Sequence, residues 1–182
     1  MEKLAAGKIL IAEPFMGDPN FERSVILLCE HTEKGSFGFV LNQESDFLLG
    51  DLLQETIYPE IKVNFGGPVE RNTLHFLHTE PDLIEGGFEV LKGLFWVGNF
   101  NEMVRKLNLG LIKSHQIRFF VGYSGWSAGQ LGMEMKRNSW IVSTAESQII
   151  MNNSKEFWRE ALKSKGGDFK VMANYPIDPR LN

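Results

Sequence analysis

Cys29-Glu30-His31 sits at the end of an apolar run and pairs the chain's one thiol with an imidazole two residues away. On a strand, residues two apart share a face, so His31 can approach the thiol while Glu30 points the other way. A histidine-activated thiolate needs an electropositive, partly exposed setting, and the adjacent Val25-Ile26-Leu27-Leu28 favours a buried, inert cysteine instead. His75 and His78, in Thr-Leu-His-Phe-Leu-His, invite a metal reading. Three residues apart on a strand, they leave on opposite faces, and no Cys or carboxylate lies at a ligand spacing nearby. Structural or hydrogen-bonding roles are favoured, and no metal or cofactor is expected. Gly122-Tyr123-Ser124-Gly125-Trp126 resembles the nucleophile elbow of serine hydrolases, but that elbow needs Gly where Trp126 stands. The hydrolase order also places a His after the Ser, whereas the last histidine here is His115. A different triad order stays open.

Phosphate cradles of the G-x-x-x-x-G-K-[ST] or G-x-G-x-x-G kind do not occur, and Gly66-Gly67-Pro68 offers only a turn with amide donors. What remains is a set of glycine-rich turns. Glycine permits close backbone approach and positive φ, so Gly66-Gly67-Pro68 and the stretch from Gly122 to Gln130 mark places where the chain bends sharply or admits a neighbour. Tyr123, Trp126 and Gln130 add aromatic area and an amide, a mixture suited to a small-molecule or peptide pocket. The plainer alternative has Trp126 plugging the core beneath the loop.

The elements that position these residues follow from apolar spacing. Lys8 to Ala12 and Ser24 to His31 are predicted strands, separated by a structured loop that delivers Arg23 to the second of them. Glu33 to Ser36 predicts a hairpin turn into Phe37 to Asn42. Asp46 is placed to cap a helix through Leu48, Leu49, Leu52 and Leu53, ending before Pro59. Ile61 to Phe65 and Thr73 to His78 read as strands around the Gly66-Gly67-Pro68 turn. Thr79 to Gly93 has no assigned class beyond one short strand near Phe88 to Leu91. Asn99 caps a helix through Met103, Val104 and Leu107, with Gly110 beyond its end. Gln116 to Tyr123 is the clearest strand, followed by a loop from Ser124 to Gly129 and one or two helical turns over Gln130 to Arg137. Trp140 to Ser143 is extended again, and Ser154 is placed to cap a last helix through Phe157, Trp158, Ala161 and Leu162, closed by Gly166-Gly167. Hairpins mixed with helices suit a mixed or antiparallel α+β sheet better than a doubly wound parallel one.

Composition excludes several classes of function. With 43% apolar and 12% aromatic residues, 182 residues suffice for one ordinary core, and neither a linker nor a repeat divides them. The net charge is -4, from 23 acidic and 19 basic side chains, with neither sign gathered into a block, so direct nucleic-acid binding is not expected. No apolar run approaches the roughly 20 residues that span a bilayer, and the single Cys29 and an N-terminus unlike a signal peptide predict a reducing, cytoplasmic compartment.

The chain resembles the YqgE/AlgH family of bacterial proteins. The segments that carry the resemblance are GKILIAEPFMGDPNFERSVILLCEH, GSFGFVLN, VNFGGPV with Leu77-His78, and GYSGWSAGQL with the following Asn-Ser-Trp. It extends from Gly7 to Val142 and, over residues 1–182, implies a single domain in which bent, mostly antiparallel sheets form an incomplete barrel with helices outside. One branch of the family carries the label of a transcriptional regulator, without a recognisable DNA-binding motif. Carried over position by position, the resemblance marks Arg23, His31, Asn42, Gly66, Gly67, Pro68, His78, Gly122, Tyr123, Gly125, Trp126, Gly129 and Gln130. This chain has Gly132 where the family usually has Glu, and keeps Glu134.

The expected function is that of a non-enzymatic binding or regulatory module, whose partner is a protein or a small molecule. The enzyme alternative uses Arg23 to hold an anion, His31 or His78 as general acid or base, and the amides of Gly66 and Gly67 as oxyanion donors.

Overall fold

The computed structural model describes residues 2–176. β1 (Ile9–Ala12), β2 (Val25–Thr32) and β3 (Gly35–Val40) pair antiparallel in sequence order, the last two through the expected Glu33-Lys34 turn. β4 (Glu44–Leu48) leads into α1 (Leu49–Leu53) and returns as β5 (Lys62–Phe65). β6 (Val69–His78), β7 (Phe88–Leu91) and β8 (Leu94–Trp96) follow, then α2 (Phe100–Asn108) and a 3-10 turn at Ser114–Gln116. β9 (Ile117–Ser127), α3 (Gln130–Lys136) and β10 (Trp140–Ser143) precede α4 (Ser147–Met151), α5 (Phe157–Lys165) and α6 (Phe169–Met172).

These strands make a 10-stranded sheet in the order β10-β1-β2-β3-β9-β6-β8-β7, with β4 and β5 branching from β9. Every pairing is antiparallel except β5 beside β9. The sheet bends but does not close, which gives an incomplete barrel with helices outside.

The bend lies in β9. Its first half, Ile117 to Val121, pairs with β6 and β5, and its second half, Ser124 to Ser127, pairs with β3. Gly122 sits between the halves at φ 67, and a Cβ there would stand 2.7 Å from the Gly67 carbonyl oxygen and 2.8 Å from that of Val69. Gly66 meets the same corner from β5, where a Cβ would stand 2.3 Å from the Gly122 oxygen. Only residues without a side chain allow the backbones to cross this closely.

The core has three parts. Ile9, Ile11, Leu27, Phe39 and Phe120 pack under α5 through Trp158 and Leu162, while the alternate residues Leu10, Ala12, Ile26 and Val40 face Trp126, Leu131 and Trp140. Coverage on both faces explains why β1 is apolar at every position. Val63, Phe76, Phe119 and Val121 close the second half of the sheet against Met103 and Leu107 of α2.

Several local expectations need correction. Asp46 caps nothing: it lies in β4, α1 begins at Leu49 without a side-chain cap, and the Ser45 hydroxyl donates to the Val63 carbonyl, tying the segment to β5. The Leu48, Leu49, Leu52, Leu53 spacing is shared by a strand end and a short helix, so the helix is shorter than the spacing predicts. The expected loop from Ser124 is strand up to Ser127, because Gly125 and Trp126 continue pairing with Phe37 and Ser36. Ser154 does not cap α5, whose first turn follows Glu156; its hydroxyl accepts the Glu156 amide at 3.2 Å. Asn99 does cap α2, accepting the Glu102 amide at 3.1 Å.

Candidate functional site

β3, β6, β8 and β9 contribute Phe37, His75, Trp96 and Tyr123 respectively to a single cleft, at whose edge part of the Trp126 ring of β9 also lies. Alternation along each strand puts these rings on one face. Phe37 lies 4.7 Å from Trp96 and edge-on to Tyr123 at 6.2 Å, and His75 stands 6.2 Å from Trp96 and 6.0 Å from Tyr123. The rings line an open cleft of about 570 Å³, with Glu30 and Lys34 among its polar groups and the exposed Phe88 ring beside Trp96. Gly125 leaves room for the tyrosine, since a Cβ there would stand 3.2 Å from Tyr123 Cε2.

The proton on His75 is fixed by its neighbours. Thr73 Oγ1 donates to the Glu70 carbonyl at 2.8 Å, so it accepts from His75 Nε2 at 3.0 Å. His75 Nδ1 is then an acceptor, without a hydrogen-bond partner among the described residues. Burial pushes the His75 pKa below its ordinary value, with Glu70 opposing, so the ring is neutral at pH 7. Trp96 Nε1 is a buried donor without a partner among the described residues. The cleft therefore combines ring faces with one acceptor, His75 Nδ1, that no described residue engages, while the unpartnered Trp96 indole N–H is itself buried.

Of the residues singled out from sequence, Tyr123, Gly125 and Trp126 line this cleft. Trp126 does so only with part of its ring, because it is 5% exposed and its Nε1 donates to Glu134 Oε2 at 2.9 Å. Trp140 Nε1 donates to the same oxygen at 2.8 Å, and Gln130 Nε2 donates to Glu134 Oε1 at 3.1 Å. Gln130 Oε1 accepts the Ser127 amide at 3.0 Å, so Gln130 joins the end of β9 to α3. Trp126 and Gln130 thus anchor a helix to the sheet, and for Trp126 this is the core role that stood as the alternative.

The others lie elsewhere. Gly66 and Gly67 are buried at the β9 corner; the Gly66 amide donates to Val121 and its carbonyl accepts from Val40 and from the Ser124 hydroxyl, with Pro68 leading into β6. Asn42 clamps the start of β2, accepting the Val25 amide at 2.8 Å and donating to the Arg23 carbonyl at 2.9 Å. The Arg23 guanidinium lies 4.7 Å over the Trp158 ring and donates to the Tyr175 carbonyl. His31 Nδ1 pairs with Ser36 Oγ at 2.7 Å. His78 is fully buried; its Nδ1 accepts the Glu80 amide at 3.2 Å, so its Nε2 donates to the Val97 carbonyl at 2.8 Å. Burial raises the Cys29 thiol pKa well above its ordinary value, leaving it protonated.

Sequence reasoning missed Phe37, Trp96 and the role of His75, as well as Glu134. The signal for His75 was its strand face: three residues from the buried His78, it had to point the other way.

A family model described as AlgH-like matches residues 9–170. The chain is 42% identical, over all of its length and 97% of the relative's, to a UPF0301 protein of Pelodictyon phaeoclathratiforme. It is 41% identical to a UPF0301 protein of Cytophaga hutchinsonii, covering 98% of this chain and all of that one. Among solved structures, the AlgH protein from Pseudomonas aeruginosa is similar with a TM-score of 0.75 at 26% identity, over 97% of this chain and 98% of that one. A protein from Corynebacterium diphtheriae shares the fold with a TM-score of 0.77 at 23% identity, over 96% and 94% of the two chains.

Proposed function

The chain belongs to the AlgH-like family, and from that premise we propose that it is a non-enzymatic, single-domain binding module whose ligand is a small planar unsaturated molecule held in the aromatic cleft. The observation that carries the reading is the convergence of Phe37, His75, Trp96 and Tyr123, one ring from each of four strands. Rings held at such angles stack on a flat guest. A volume of about 570 Å³ suits a small ligand. The open His75 Nδ1 asks the guest for an N–H or O–H donor.

Several of the groups required by the enzyme alternative are engaged within the protein, His31 Nδ1 with Ser36 Oγ among them. The Gly66 amide donates to Val121, both His78 nitrogens are paired, and the Arg23 guanidinium rests on Trp158. Among the described residues no helix is long and apolar enough to cross a membrane. The proposal places the module in the cytosol, where ligand occupancy regulates a partner rather than DNA.

Calorimetric titration with benzimidazole, a flat probe with one N–H donor, tests the reading. Saturable binding is expected, and Trp96→Ala lowers the affinity about tenfold, the order of one lost stacking contact plus its area. Gln130→Ala, remote from the rings, leaves it unchanged. Binding unaffected by both Trp96→Ala and Tyr123→Ala removes the cleft as the site.

A further inference from the structure

Arg118 is the one charged residue in the apolar run Ile117 to Val121, and it is 5% exposed. Its side chain shares a strand face with Phe120, and the guanidinium lies 5.2 Å over that ring. Nη1 donates to the Ile150 carbonyl at 2.5 Å, and Nη2 donates to the Leu41 carbonyl at 2.6 Å and to Asn153 Oδ1 at 3.1 Å. Nε is buried and has no partner among the described residues. Each of these acceptors is neutral, and no described ion pair includes Arg118. Burial pushes its pKa down to about 10, which still leaves it a cation at neutral pH. A buried charge without a counter-charge is strongly unfavourable, and it becomes tolerable when an anion completes it.

The surroundings supply room for that anion. Arg118 lines a cavity of about 540 Å³ together with Lys62, Asn64, His115 and Asn153, and among the described residues Glu60 is the only carboxylate in its walls. Lys62 is exposed and takes part in no described ion pair. Asn153 Oδ1 is held by Arg118 and, at 3.4 Å, by Asn64 Nδ2, which orients the asparagine amide beside the guanidinium.

We propose that this cavity, at the start of β9 and separate from the aromatic cleft, is a binding site for a small oxyanion bearing a carboxylate or phosphate group, with Arg118 as its charge partner and Lys62 and Asn153 as further donors. The neutral acceptors that engage Nη1 and Nη2 hold the guanidinium in place without cancelling its charge, and the Nε–H is the donor left for an anion.

The test follows the Arg118 Nε–Hε resonance of the full chain during titration with sodium phosphate, sodium succinate and sodium chloride at matched ionic strength. The expected result is a saturating shift with at least one oxyanion and none with chloride; the oxyanion that saturates at the lower concentration assigns the ligand as phosphate or carboxylate. Lys62→Gln and Asn153→Leu, both at exposed positions, keep the fold and each raise the half-saturation concentration about threefold, as expected for a partly exposed charge or hydrogen bond. These two variants carry the test whether or not Arg118→Lys folds. A resonance moved no further by either oxyanion than by chloride overturns the proposal, as does a half-saturation unchanged in both variants.

Discussion

Glu134 shows how much one side chain can organise. Its carboxylate accepts from Trp126, Trp140 and Gln130, and through them it fixes α3 to two strands. Glu134→Leu leaves two indole donors without their acceptor, and we expect a loss of about 3 kcal/mol, read from the midpoint of a urea transition. An unchanged midpoint would show that the three bonds contribute no net stability. The histidines give a second residue-scale prediction. Burial holds His75 and His78 below their ordinary pKa, so the unfolded chain takes up protons first as pH falls. The stability they contribute is fully present above about pH 6.5 and is lost as pH falls through their folded-state values. The melting temperature should decline from pH 7.5 to 5.5, and His75→Asn should flatten that decline; an equally steep slope in the variant contradicts the assignment. Little of this was legible in advance. Glu134 and Trp126 are eight residues apart in sequence, and only the turn at Gly129 brings them together.

At the scale of elements, the corner in β9 decides the shape. Gly122 at φ 67 lets one strand serve both halves of the sheet, and Gly66 and Gly67 give it space. Gly122→Ala is therefore expected to cost about 3 kcal/mol or more, combining a left-handed backbone with a collision against two carbonyl oxygens. A thermal melt checks this, and a variant as stable as the parent removes the corner from the account. The glycine-rich segments were conspicuous in the sequence because glycine marks sharp bends. Whether they bent for architecture or for a ligand depended on which strands they met, and that is a long-range fact. Strands β1 and β9 and the first half of β2 were readable from branched apolar runs buried on both faces. β4, β8, α4 and α6 were not anticipated, being only three to five residues long and set by their pairing and packing partners. The aromatic cleft escaped for the same reason: its four rings come from four strands.

For the whole molecule, the α+β class and the bent, mostly antiparallel sheet agree with the hairpins and helices read along the chain. The net charge of -4 argues that no duplex is tracked by the surface. A salt titration with genomic fragments should show no preference over random DNA, and a specific complex with a steep salt slope contradicts this. The cleft between β3, β6, β8 and β9 is proposed to receive a flat ligand. The four tryptophans make it directly measurable, because three have their indole N–H bonded within the protein: Trp126 and Trp140 to Glu134, and Trp158 to the Ala12 carbonyl. Trp96 has no such bond among the described residues. In an NMR titration with benzimidazole, a saturating shift of the Trp96 Nε1–H resonance is expected, larger than that of Trp126, which touches the cleft with part of its ring, while Trp140 and Trp158 stay in place. A Trp96 resonance that does not move, or moves no more than the other three, contradicts it.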